Sequence, residues 1–269
     1  MKKGITRVAA PKDLTAIFPY IMKRRCDSQV FFHVDLCVDP LLAWVKEKQN
    51  CTFFQALLLA LIKTMRARPK LNRFIAGRRL YQRDDLEVCF IARRSFDEEG
   101  TETSIKVRVK PDDDDSAILS KISGEIKSAK EGNDKSDDQA IAALLKLPRF
   151  LLRIVVNFLI WTEFYMIFPK YLEKIDPLHC SAYVANLGSV GIEAPFHHLF
   201  EWGTCSLFVA IGKAGPKLTL DEDNNPVVKT MVEIKVTLDE RIADGYYYAR
   251  SLDLFKNLVE HPEVMFDEK

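Results

Sequence analysis

The period of the hydrophobic pattern changes several times along the chain, and each change marks an element. Val30 to Val38 is rich in β-branched and aromatic residues and predicts a strand. Thr52-Phe53-Phe54-Gln55 has the spacing of a capping box, with Thr52 as N-cap and Gln55 reaching back to it. It opens a helix running to about Met65, whose Ala56, Leu57, Ala60 and Leu61 require burial on most sides. Pro69 stops it. Short strands are predicted at Arg79 to Gln82, Leu86 to Ala92 and Ser104 to Val109, separated by charged or Gly-containing turns. Ile118, Ile122, Ile126 and Ala129 then share one helical stripe. The acidic run Asp112 to Asp115 lacks the alternating ligands and the glycine of a calcium loop. It is read as negative charge at the N-terminus of that helix, where the dipole favours it. Glu131 to Asp138 reads as a polar loop.

Arg149 to Phe168 is the most apolar part of the chain. Arg153, Asn157 and Glu163 interrupt it, so no uncharged run approaches the ~18 residues of a membrane span, and the segment is not transmembrane. On a helical wheel Arg149, Arg153 and Asn157 form one narrow polar stripe and nearly everything else is apolar. Such a helix is expected to be buried on several sides, first of all as intrachain core. An oligomer or partner contact and a membrane-surface position are the other two readings. The last third returns to strands at Ser181 to Ala185, Ser206 to Gly212 and Val227 to Leu238. A final helix from about Asp244 places Tyr248, Leu252, Phe255 and Val259 on one face, with Pro262 just beyond. Strands and helices mixed without strict alternation predict an α/β two-layer sandwich with a mixed sheet. With no internal repeat or low-complexity linker, residues 1–269 read as one domain preceded by an N-terminal arm over 1–14.

Composition changes this picture little. The chain has 269 residues, and its formal charge of +1 gives no electrostatic case for nucleic acid. Lys23-Arg24-Arg25 reads as a solvated or ion-paired run. Cysteines at 26, 37, 51, 89, 180 and 205 form no Cys-x-x-Cys pair and have no histidine at zinc-finger spacing, so no metal site is expected. Scattered cysteines behind a mixed, basic N-terminus point to free thiols in the cytoplasm.

Three segments carry a resemblance. Pro69-Lys70-Leu71-Asn72 looks like a "P-x-L-N" turn, Ala185-Asn186-Leu187-Gly188 with Gly191 like an "S-N-L-G" segment, and Asp239 to Gly245 like "D-H-R-x-x-D-G". Together they resemble the chloramphenicol acetyltransferase-like fold shared by the catalytic domains of dihydrolipoyl acyltransferases, over about residues 15 to 262. The resemblance implies a homotrimer with sites at subunit interfaces and a coenzyme A thioester as substrate. In that family a histidine deprotonates a thiol or hydroxyl that attacks the thioester, and a hydroxyl near "S-N-L-G" stabilises the oxyanion. Full dihydrolipoyl acyltransferases also carry a lipoyl domain, which is not expected on this chain, so the acceptor would arrive free or on another protein.

This sequence departs from the pattern at both chemical positions. Glu240 stands where the histidine is expected and Ala185 where the serine is, while Asp244 and Gly245 match. A carboxylate of ordinary pKa near 4.3 is a poor base for a thiol near 8.5, although burial raises such groups, an effect the adjacent Arg241 would oppose. Ser189, beside Asn186, either supplies a replacement hydroxyl or stabilises the turn. His197 and His198 are the alternative bases, with a structural role as the other reading. Tyr246 to Tyr248 either line a channel or pack the helix start. Asp244 is expected to cap the final helix and to pair with Arg24, Arg25 or Arg241. An acyltransferase with an altered base and a non-catalytic trimeric scaffold both fit these residues.

Overall fold

The computed structural model describes residues 4–48, 50–93, 102–131, 144, 146–221 and 223–266. Its centre is a six-stranded mixed sheet built from β2 (Gln29–Cys37), β5 (Leu86–Arg93), β6 (Glu102–Val109), β7 (Ala182–Asn186), β8 (Leu207–Leu220) and β9 (Pro226–Asp239). The order is β2-β9-β8-β7-β5-β6, with β7 parallel to both of its neighbours and every other pair antiparallel. A small antiparallel sheet of β1 (Ile5–Arg7), β4 (Arg79–Arg83) and β3 (Arg73–Ala76) lies beside it. The arm expected over 1–14 is therefore partly a strand, because Ile5 to Arg7 find open backbone partners along β4.

One face of the large sheet is covered by α3 (Phe53–Ala67), α4 (Asp115–Lys130) and α7 (Gly245–Glu260), with α2 (Asp39–Lys48) and α8 (Pro262–Phe266) against them. The capping box forms as the sequence predicts. The Gln55 amide donates to Thr52 Oγ1 at 3.3 Å and the Thr52 amide to Gln55 Oε1 at 2.7 Å. The interior of α3 is buried on nearly every side, so its apolar fabric forms the centre of the main core. Asp114 caps α4 through the Ala117 amide at 2.6 Å, and Asp113 pairs with Lys121. The acidic run thus acts at a helix start, and Ile118, Ile122 and Ala129 face the core. From residue 132 onward the expected polar loop lies outside the described residues.

The short helices α1 (Phe18–Ile21) and α6 (Lys170–Ile175) and the longer α5 (Arg149–Phe164) lie outside this sandwich. Here the structure corrects the sequence. Within α5 only Leu159 and Thr162 are buried, so the helix is not intrachain core. Its C-terminal end is seated on the turn between β3 and β4, where a Cβ on Gly77 would lie 2.4 Å from the Phe164 carbonyl oxygen. No helix among the described residues is long and apolar enough to cross a membrane.

Candidate functional site

β9 ends at Asp239, and the chain then turns through Glu240 to Ala243 into α7. Asp239 has no solvent exposure and organises this turn. It accepts from Arg241 Nε at 2.8 Å and Nη2 at 2.7 Å, from the Arg241 amide at 3.1 Å and from Ser28 Oγ at 2.9 Å. Arg25 Nε lies 3.9 Å away, and its two terminal nitrogens donate to the Phe200 and Gly203 carbonyls. Arg241 Nη1 donates to the Met22 carbonyl at 3.0 Å, and Tyr248 Oη to the Asp239 carbonyl at 2.6 Å. Two buried cations and one buried anion therefore tie the N-terminal segment, the 200–204 loop and the β9–α7 turn together.

This network replaces the ion pairs expected for Asp244. Asp244 is exposed and caps α7 by accepting from the Tyr247 amide at 2.8 Å, as predicted, but Arg25 and Arg241 face Asp239 instead. Arg24 is exposed and pairs with Asp27 at 2.7 Å. Asp239 and Ser28 are the structural residues that sequence reasoning missed, whereas Tyr248 packs on the buried face of the final helix as expected. An Asp-x-Arg spacing on its own does not reveal that both side chains turn inward.

Glu240 is half-buried, and its amide donates to the Ser28 carbonyl at 2.8 Å. Among the described residues its carboxylate makes no hydrogen bond or ion pair. Arg241, expected to influence it, is committed to Asp239. Close by, Cys26 Sγ donates to Glu201 Oε1 at 2.6 Å, and this hydrogen bond to a carboxylate pushes the thiol pKa up, away from a thiolate nucleophile. Tyr246 is 77% exposed, whereas Tyr247 Oη accepts from the Lys70 amide and Tyr248 is core, so only Tyr246 is free of helix packing.

Asn186 and Ser189 stand elsewhere. Asn186 ends β7 and leads into a 3-10 turn over Leu187–Val190, closed by Gly191 at φ 81°. Ser189 Oγ donates to the Asn186 carbonyl at 2.7 Å, which is the turn-stabilising arrangement. Gly188 is required because a Cβ there would lie 2.5 Å from the Gly212 carbonyl oxygen. The strand register fixes how far this turn is from Glu240. Asn186 is level with Ile211, and Ile211 with Ile234. Glu240 lies six residues further along, roughly 20 Å at about 3.3 Å per residue. One chain therefore holds the Asn186 turn and Glu240 at opposite ends of its sheet.

The loop over 192–200 runs between those ends, on the sheet face away from α3 and α7. The Ile192 carbonyl accepts from the Lys213 amide near the Asn186 end, and the Leu199 amide donates to Gln29 Oε1 near the Glu240 end. His197 stacks on Phe208 at 4.0 Å, and its carbonyl accepts from Thr237 Oγ1 at 2.6 Å. Partial burial lowers the His197 pKa, so the ring is a neutral packing element at pH 7. His198 is exposed, its Nδ1 3.1 Å from the Leu199 carbonyl oxygen. Neither ring contacts Glu240 or Asn186.

A second buried ionic cluster lies under α5. His179 is 2% exposed, with Nε2 3.3 Å from Glu163 and Nδ1 3.1 Å from Asp176, and it stacks on Phe168 at 4.3 Å. The angles make these charge contacts rather than well-directed hydrogen bonds. Burial alone would lower the His179 pKa, but the two carboxylates outweigh it and hold it above the usual histidine value. Among the described residues no group of three or more His, Cys, Asp or Glu side chains is arranged to hold a metal ion.

Comparison with solved structures decides what this architecture is. A probable dihydrolipoamide acetyltransferase from Listeria monocytogenes superimposes with a TM-score of 0.60 over 97% of each chain, at 15% identity. The chain has the acyltransferase fold. The cubic core of a pyruvate dehydrogenase multienzyme complex is similar at a TM-score of 0.59, with 12% identity over 96% of this chain and 94% of that one. Chloramphenicol acetyltransferase is similar at 0.53, with 12% identity over 95% and 98%. In sequence, residues 176–267 match the model of the 2-oxoacid dehydrogenases acyltransferase catalytic domain, a stretch that holds both the Asn186 turn and the Asp239–Gly245 segment of this acyltransferase fold. No curated protein matches the chain.

Proposed function

We propose that this protein transfers an acyl group from a coenzyme A thioester to a thiol or hydroxyl acceptor, at sites formed between copies in a cytoplasmic homotrimer. The observation that carries the reading is the pair of half-sites at opposite ends of one sheet. A turn of the "S-N-L-G" kind and a turn of the "D-x-R-x-x-D-G" kind become one site only when a second copy brings its Asn186 end against the first copy's Glu240 end. In that site Glu240 is the base, because its carboxylate is the one acid of the turn left without a partner among the described residues. Asn186 contacts the substrate, and Asp244 and the Asp239 network hold the turn. Six free cysteines support the reducing compartment.

The reaction is expected to be slow. Replacing an imidazole base costs about 10²–10⁴ in rate, and losing an oxyanion donor a further 10²–10³. Ser189 does not offset the loss, since its hydroxyl donates to the Asn186 carbonyl. That bond favours a second reading, a trimeric scaffold or regulatory subunit with no turnover. Light scattering tests the shared premise: a trimer mass at micromolar concentration is expected, and a monomer would remove the site. Coenzyme A release from acetyl-coenzyme A with dihydrolipoamide separates the two readings. Slow turnover that Glu240→Ala abolishes supports transfer, and a rate equal to that of the variant supports the scaffold.

A further inference from the structure

Among the described residues, the one helix outside the sandwich with a large apolar face is α5. Phe150, Ile154, Phe158 and Trp161 recur at i, i+4, i+8 and i+11 and point away from the protein, 65%, 61%, 57% and 50% exposed. The opposite side of the helix meets the body through Leu159 and Thr162. Exposure of this extent on one face is unusual for a free surface. Phe158 stacks on Trp161 at 5.9 Å, and Trp161 meets Tyr165 at a tilt with centroids 5.1 Å apart, so the C-terminal part of this face is a continuous aromatic patch.

Charge distinguishes what this face fits. Arg149 and Arg153 edge the apolar row, with Lys146 just before it, all three exposed, whereas Lys170 and Lys174 line a cleft with Asp84, Asp85, Glu87 and Glu173. None of these three has an ion pair among the described residues. The single acid of α5, Glu163, turns inward, where it accepts from the Gly203 amide at 3.0 Å and lies beside His179. A second copy docked two-fold by this same face would set cations against cations, and a head-to-tail contact in a ring is the alternative that the oligomeric mass decides. An anionic bilayer supplies both complements, acyl chains for the apolar row and headgroups for Lys146, Arg149 and Arg153. At 16 residues the helix is about 24 Å long, suited to lying in the interface and too short to span it. We infer that α5 docks this protein onto the surface of an anionic lipid bilayer, with the Phe150–Trp161 row inserted and Arg149 and Arg153 at the headgroups.

Vesicle flotation of the full chain tests this with phosphatidylcholine vesicles, with and without 30% phosphatidylglycerol. Co-flotation is expected with the anionic vesicles, falling several-fold between about 50 and 300 mM salt as the charges are screened. Bromine-labelled acyl chains should quench wild-type tryptophan fluorescence, and Trp161→Phe should remove that quenching, which needs no disruptive variant. Ile154→Glu with Phe158→Glu should weaken binding at least tenfold, with the melting temperature and the oligomeric mass unchanged. Absence of flotation, or quenching that survives Trp161→Phe, overturns the inference. Loss of oligomeric mass in the glutamate variant overturns it too, because α5 would then be a subunit contact. Coenzyme A release is measured without lipid, so failure here is distinguishable from failure of the acyl-transfer reading.

Discussion

Replacing Asp239 by asparagine keeps the volume of the side chain and removes one buried charge. Asp239 is fully buried, and it accepts two bonds from the Arg241 guanidinium, one from the Arg241 amide and one from Ser28. Without the carboxylate, Arg241 and Arg25 are two cations in the interior with no counter-ion within 4 Å among the described residues. Breaking a buried pair by removing one partner costs about 3–5 kcal/mol. Both arginines keep carbonyl acceptors, Met22 for Arg241 and Phe200 and Gly203 for Arg25, which places the expected loss near the lower bound, about 3 kcal/mol. At roughly 2–4 °C per kcal/mol for a chain of this size, the melting temperature should fall by about 6–12 °C. Circular dichroism melts of Asp239→Asn, Arg241→Gln and the double variant give the answer. The double variant should lose less than the sum of the singles, because removing Arg241 relieves one of the stranded charges. A loss below about 1 kcal/mol in Asp239→Asn, or simple additivity, would refute the claim that this carboxylate holds the turn.

Asp244→Ala should cost only about 0.5–2 kcal/mol, the value of an exposed cap, and Glu240→Ala should leave the melting temperature nearly unchanged; a Glu240 variant as damaging as Asp239→Asn would make Glu240 structural. The folded pKa of His179 is raised, so its stabilisation is complete below the unfolded value near 6.5 and is lost as pH rises through the higher folded value. Stability by urea titration should therefore fall across that window, and in His179→Gln the fall should be missing. Gly203 lies at φ 81°, and a Cβ there would sit 2.3 Å from the Leu178 carbonyl oxygen, so Gly203→Ala should destabilise by more than 1 kcal/mol in the same titration.

Most of the sheet was legible because strand and helix periods differ, and because Thr52, Gln55, Pro69 and Pro262 punctuate the helices. The strands over Ile5 to Arg7 and Arg73 to Ala76 were missed, since three or four residues are too few to show a period. In the site, the sequence marked the cap at Asp244 but assigned the ion pairs to the wrong carboxylate. Which of Asp239 and Asp244 faces inward depends on Arg25 and Ser28, more than 200 residues earlier in the chain. Likewise, the apolar pattern of α5 identifies a helix but not what covers it; most of its apolar side chains are exposed, with only Leu159 and Thr162 buried. The separation of Asn186 from Glu240 is a property of register, which composition and motif spacing do not encode.

In the proposed acyl-transfer site, Glu240 and Ala185 take the base and oxyanion positions. Coenzyme A release by the double variant Glu240→His with Ala185→Ser, using acetyl-coenzyme A and dihydrolipoamide at pH 7.5, tests that directly. Restoring an imidazole and a hydroxyl at those two positions should raise the rate at least 100-fold over the wild-type protein, from the sizes of the two effects. A correctly folded, trimeric double variant with an unchanged rate would contradict the assignment of both residues.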